Sequence, residues 1–110
     1  MWVNDLAARA YSLLCIQLSM DFDFDPEKDR LNPINHHGVT FEEASAVLLD
    51  PFALTRIDAD TINESRCITL GMGGTARILV VVWTERTERI RIISAWKASN
   101  PQRRIYEAQF

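Results

Sequence analysis

The chain is poor in cysteine: Cys15 and Cys67 are its two thiols in 110 residues. Two cysteines cannot build the disulfide framework that staples small secreted domains, so they read as buried thiols in a reducing cytoplasm. Long apolar runs are missing too; none approaches the roughly 18 residues that a membrane span requires. Tyr11 to Leu18 lacks the flanks of a secretion signal, because Asp5 cancels Arg9 ahead of it and no small-residue cleavage site follows. Histidine occurs twice, as the adjacent pair His36 and His37. Neighbours on a helix point apart, and no third ligand surrounds them, so no metal site is expected. Of the four glycines, Gly71, Gly73 and Gly74 lie between strand-like segments and read as a hairpin turn rather than a phosphate cradle. No GxGxxG, Walker loop or Ser-His-Asp spacing is present, and no cofactor is expected. Excess charge is small, at −3 with a pI near 5.3. Nucleic acid would therefore have to be held by a local basic patch, not by the field of the whole molecule.

What is present is ordinary for one globular domain: 47% hydrophobic and 25% charged residues. Leu6, Ala10, Leu13, Leu14, Gln17 and Leu18 have helical spacing, which predicts an amphipathic helix over Trp2 to Leu18. Met20 then opens a run that reads as a natural start, so residues 1–19 are expected to be an N-terminal helical extension of a domain at 20–110. Phe22 and Phe24 alternate with aspartates as a short edge strand. Asp25-Pro26 starts a helix that Pro33 should disturb and Gly38 closes. Thr40-Phe41-Glu42-Glu43 is a capping box for a second helix striped by Phe41, Ala44, Val47 and Leu48, ended by Asp50-Pro51. Strands follow at Leu54 to Ile57, Arg66 to Leu70, Arg77 to Thr84 and Arg89 to Ala95, with a hairpin turn over Glu85 to Glu88. The run from Ile78 to Trp83 is apolar on both faces and should be central. Ser99-Asn100-Pro101 begins a last helix. The order predicts an α+β domain, an antiparallel meander packed with helices.

Cations concentrate in the strand region: Arg66, Arg77, Arg86, Arg89, Arg91 and Lys97, then Arg103 and Arg104. Acids concentrate earlier, over Asp21 to Glu43 and Asp50 to Glu64. That asymmetry permits a basic face on an acidic protein, with Trp83, Trp96 and Tyr106 placed to stack on bases. The alternative is a solvated sheet face whose arginines snorkel over core tryptophans.

From Phe22 to Tyr106 the chain carries Phe24-Asp25-Pro26-Glu27-Lys28, Asn32, His-Gly-Val ending at Val39, Phe41-Glu42-Glu43-Ala44, Asp50-Pro51, Glu64 with Arg66, and Gly71. The series continues through Leu79-Val80-Val81-Val82, Thr84-Glu85-Arg86, Arg91-Ile92-Ile93-Ser94-Ala95, Lys97-Ala98 and Tyr106. In this combination the chain resembles the BrnT toxins. The resemblance implies a RelE-like ribonuclease toxin acting on RNA in the cytoplasm. It also implies neutralisation by a BrnA-type antitoxin, a ribbon-helix-helix protein that carries the DNA binding. Two departures stand out: Asn35-His36-His37-Gly38 is one residue longer than the usual Lys-His-Gly step, and Trp96 replaces a usual arginine.

RNA cleavage needs an aligned 2′-hydroxyl, cations for the charge that develops on phosphorus, and a proton for the leaving 5′-oxygen. The implied set is Arg66, Arg86 and Arg91 on phosphate with Lys97 as a further cation, and His36, His37 or Glu64 as acid or base. Arg89, Trp96 and Tyr106 would contact RNA. The rival reading is a toxin relic or a binding module that has lost catalysis, which the Trp96 departure favours.

Overall fold

In a computed structural model, which describes residues 2–4, 22–58, 66–86 and 89–110, the run apolar on both faces occupies the middle of a five-stranded sheet. The elements are β1 (Phe22–Phe24), α1 (Pro26–Asn35), α2 (Phe41–Val47), β2 (Leu54–Asp58), β3 (Arg66–Met72), β4 (Ile78–Arg86), β5 (Arg89–Lys97) and α3 (Asn100–Glu107). The strand order is β1-β5-β4-β3-β2, with β4 third of five. Val80, Val81 and Leu79 on β4 are fully buried, as a strand covered on both faces requires. One face carries α1 and α2 over Val39, Phe41, Ala44, Val47, Leu79, Val81, Ile92 and Ala95. The other carries α3 over Ile68, Leu70, Ile78, Val80, Val82, Ala98 and Tyr106. This is an open α+β fold. Among the described residues no helix is long and apolar enough to cross a membrane.

Strands β2 to β5 form the antiparallel meander, but β1 pairs parallel to β5, so the sheet is mixed. The two helices between β1 and β2 carry the chain across the sheet, and this crossover sets the direction of β1. The β3–β4 turn starts later than Gly71, which lies inside β3. A side chain there would press on Val47 Cγ1 at 3.0 Å and Asp50 Oδ2 at 3.1 Å, so glycine lets α2 sit against the strand. Likewise Glu85 belongs to β4, and the register reaches Arg86 opposite Arg89, which narrows the hairpin connection to two residues.

Helix α1 passes through Pro33 and continues to Asn35. Asp25 caps its start, accepting from the Glu27 N–H at 2.8 Å. Its end winds down through two positive φ angles, 52° at His37 and 78° at Gly38. The Gly38 N–H then reaches the Pro33 carbonyl at 2.8 Å. Thr40 caps α2, accepting from Glu43 N–H at 3.0 Å. Ser99 and Gln102 form a reciprocal capping box on α3.

The helix expected from Trp2 does not begin there. Val3 forms a two-bond antiparallel bridge with Thr55 on the outer edge of β2. Trp2 packs against the core under α3, with the Arg56 guanidinium 5.1 Å from its ring centroid. The rest of the expected helix, and Cys15, lie outside the described residues. Cys67 is half-buried, and burial pushes its thiol pKa up.

Candidate nucleic-acid interface

Register sets one polar row across the α3 side of the sheet. Asp58 on β2 lies opposite Arg66 on β3. The β3–β4 register pairs Cys67 with Trp83, and one residue further it brings Arg66 opposite Thr84. Thr84 pairs with Arg91 on β5, and Arg91 with Asp23 on β1. Because facing side chains of neighbouring strands share a face, the row reads Asp58, Arg66, Thr84, Arg91, Asp23 from edge to edge. Arg66 and Arg91 are two strand spacings apart, roughly 10 Å between backbones. Their long side chains can meet on one phosphate or grip two successive ones.

The charges in the row differ in how they are satisfied. The Arg91 guanidinium lies 3.5 Å from the Asp23 carboxylate and is half-buried. The Arg66 Nε is buried and has no hydrogen-bond partner among the described residues. A donor in that state is costly unless a ligand accepts from it. Thr84, 1% exposed, separates the two arginines. Arg89 is exposed one pair beyond the row, where the register sets it opposite Arg86.

A bulge decides what else shares this face. Val82 pairs with Ser94 while Trp83 pairs with Ile92, so Ile93 is an extra residue on β5. Ahead of it, Ile90 and Ile92 face α1 and α2, which turns Arg89 and Arg91 to the other side. Beyond it the alternation is shifted by one. Ala95 therefore joins the α1–α2 core, and Trp96 packs against the α3 core on the arginine face. Strict alternation would have placed Trp96 with the isoleucines. Nor does the strand end at Ala95, since β5 runs to Lys97.

At that end of β5, β1 has already stopped opposite Ile92, leaving the strand edge without a strand neighbour among the described residues. Asn32 of α1 closes it. Its Nδ2 donates to the carbonyls of Ala95 and Val39, both at 2.8 Å, and its Oδ1 accepts from Ala95 N–H at 3.2 Å. The side-chain amide replaces a strand partner, which holds the end of α1 against β5. His36 is thereby brought 6.0 Å from Trp96, the ring planes tilted by 40°. Asn35, His36, His37, Trp96 and Lys97 line an open hollow of about 490 Å³.

The residues anticipated from the sequence thus fall in two places along β5. Arg66, Arg91 and Arg89 belong to the row or its flank; His36, His37, Trp96 and Lys97 gather at the hollow. Glu64 lies outside the described residues. Three further candidates are used inside the fold. Tyr106 is 3% exposed and donates from its hydroxyl to Asp50 Oδ2 at 2.6 Å, so its ring is a core element with no face for a base. Burial and the Asp50 carboxylate raise its pKa well above the ordinary phenol value. Trp83 packs on the α1–α2 core and donates to Thr69 Oγ1 at 2.7 Å. Arg77 grips Glu43 of α2 with two hydrogen bonds, at 2.6 and 2.9 Å, and Thr75 donates to the same carboxylate. Sequence reasoning gave Asn32 no structural role, and gave Glu43 and Asp50 only local ones, in a capping box and at a helix end. The signal was there: all three are polar residues at or beside apolar stripes, where a partner is required.

The sequence profile of the family described as "ribonuclease toxin, BrnT, of type II toxin–antitoxin system" matches residues 24–101. The chain belongs to the BrnT family. No curated protein matches it. BrnT membership makes this a ribonuclease toxin of a type II toxin–antitoxin system, with an antitoxin as partner and RNA as substrate. The matched span includes both arginines of the row and the hollow, but not Asp23. It stops in the first turn of α3, ahead of Tyr106, and does not include the Trp2–Asn4 segment.

Proposed function

We propose that this BrnT chain cleaves RNA on the arginine row and arrests growth when its antitoxin is absent. The observation that carries the reading is the Arg66–Thr84–Arg91 alignment, with a buried Arg66 donor that no described residue accepts from. The 2′-oxygen of RNA attacks its own phosphorus. The bond from phosphorus to the 5′-oxygen breaks, leaving a 2′,3′-cyclic phosphate and a 5′-oxygen that takes up a proton, balancing the one the base removes from the 2′-hydroxyl. Arg66 and Arg91 would meet the charge that develops on the phosphoryl oxygens, with Arg86 and Arg89 holding the flanking backbone. Glu64, two positions ahead of Arg66 in the chain, is the base this reading assigns. His36 and His37 gather at the other end of β5 and are better placed to bind than to transfer the proton. The partner would be a BrnA-type ribbon-helix-helix protein that does the DNA binding itself, and the pair would act in the cytoplasm.

The test is cleavage of a single-stranded RNA by the wild type and by Arg66→Ala and Arg91→Ala forms. Each substitution should lower the rate by roughly a hundredfold, as loss of a preorganised charge donor does. Growth arrest on expression should fall in parallel. Cleavage that persists in the double variant overturns the assignment. A wild type that retards RNA in a gel yet leaves it intact would favour the non-catalytic binding module.

A further inference from the structure

We infer that the hollow between the end of α1 and the end of β5 is a nucleobase pocket, separate from the phosphate-binding row and filled by an unpaired base of the same RNA strand. The inference rests on the reading that the arginine row binds RNA, and it names a second point of attachment. His36 and Trp96 present two half-exposed rings, their centroids 6.0 Å apart and their planes tilted by 40°. Lys97, exposed at the last position of β5, and His37 line the same hollow. Aromatic faces beside a cation are the chemistry that takes a flat heterocycle carrying a phosphate, and stacking tolerates any base because every base has a π-face. The volume of about 490 Å³ suits a small planar group.

Position supports the same occupant. The Ile93 bulge puts Trp96 on the face that holds Arg91, and one strand carries both. From Arg91 to Trp96 the strand rises roughly 15 Å. An RNA strand lying along β5 would set a phosphate on the row and a base in the hollow within a few nucleotides. His36 is then a stacking surface, held in place because Asn32 ties the last turn of α1 to Ala95.

The experiment uses the full chain and a fluorescent 2′-O-methyl oligonucleotide, which lacks the attacking hydroxyl and so reports binding without cleavage. Its companion set carries one abasic nucleotide moved along the strand. Trp96→Leu keeps apolar contact with the α3 core but offers no stacking face. It should weaken binding of the intact oligonucleotide roughly tenfold. At one position of the abasic set, wild type and Trp96→Leu should bind alike, while Arg91→Ala weakens every member of the set. Trp96→Phe should bind as the wild type does. Equal loss by Trp96→Leu on intact and all abasic strands overturns the pocket, as does no loss on either while Arg91→Ala still weakens binding. Unchanged RNA affinity in Trp96→Leu with weakened antitoxin binding would make the hollow a protein contact instead, and the base pocket falls. A wild type that binds neither oligonucleotide removes the arginine-row reading and this one together.

Discussion

Tyr106 shows how one residue type supports two opposite readings until its partner is known. An aromatic phenol near a run of arginines is chemically suited to stacking, yet its hydroxyl donates to Asp50, which also accepts from the backbone N–H groups of Met72 and Phe52. That carboxylate ties α3, β3 and the segment after α2 to one another. Tyr106→Phe should therefore cost about 1–2 kcal/mol in chemical denaturation, the loss of one hydrogen bond to a charged acceptor. RNA cleavage by the folded protein should be unchanged. Reduced cleavage at unchanged stability would return Tyr106 to the RNA site. The His36–Trp96 contact was beyond reach of sequence for a different reason. The two positions at which the chain departs from the BrnT resemblance, 60 residues apart, meet through a backbone path that no spacing rule describes.

At the scale of elements, α2 is fixed to the β3–β4 turn by Glu43, which is 7% exposed and receives Arg77 and Thr75. The Arg77 guanidinium is the main reason its carboxyl titrates below the usual carboxylate range, with help from Thr75 and the Thr40 backbone, against the opposing effect of burial. Since the folded pKa is depressed, the stabilisation is fully present above the unfolded value of about 4.3 and is lost as pH falls through the folded one. Glu43→Gln should lower stability at pH 7 by about 1–3 kcal/mol, discounted because Arg77 is one-third exposed. Urea titrations at pH 7 and pH 3 check this: the gap between the two forms should narrow at pH 3. A gap of equal size at both values would mean that the ionised pair contributes nothing. The caps at Asp25, Thr40 and Ser99 were readable because each acts within three residues of itself. The Ile93 bulge was not, since one extra residue in a strand is visible only against the register of its neighbour.

For the whole molecule, the arginine row lies on the α3 side of the sheet, away from α1 and α2 with their acids Glu27, Asp29, Glu42 and Glu43. An acidic antitoxin segment laid over that row is the simplest route to neutralisation. Arg91→Glu should then weaken both RNA cleavage and antitoxin affinity, the latter by tenfold or more in a titration at physiological salt. Raising the salt should weaken RNA binding as well, because phosphate contacts release counterions. Unchanged antitoxin affinity in Arg91→Glu would locate neutralisation elsewhere, for instance at the outer edge of β1, which no described strand covers.

The sequence by itself determined the α+β order, the central place of β4, the starts of α1, α2 and α3 and the BrnT resemblance. These depend on hydrophobic period and on side chains that satisfy their own neighbouring backbone, both local properties. Tertiary structure decided the parallel pairing of β1 with β5, the shift of alternation at Ile93, the withdrawal of Arg77 and Tyr106 into structural roles, and the alignment of Arg66 with Arg91. Each of these is a choice of partner across long chain separation. An arginine reads the same in a sequence whether it meets a buried glutamate, a facing aspartate or, at its Nε, no acceptor among the described residues.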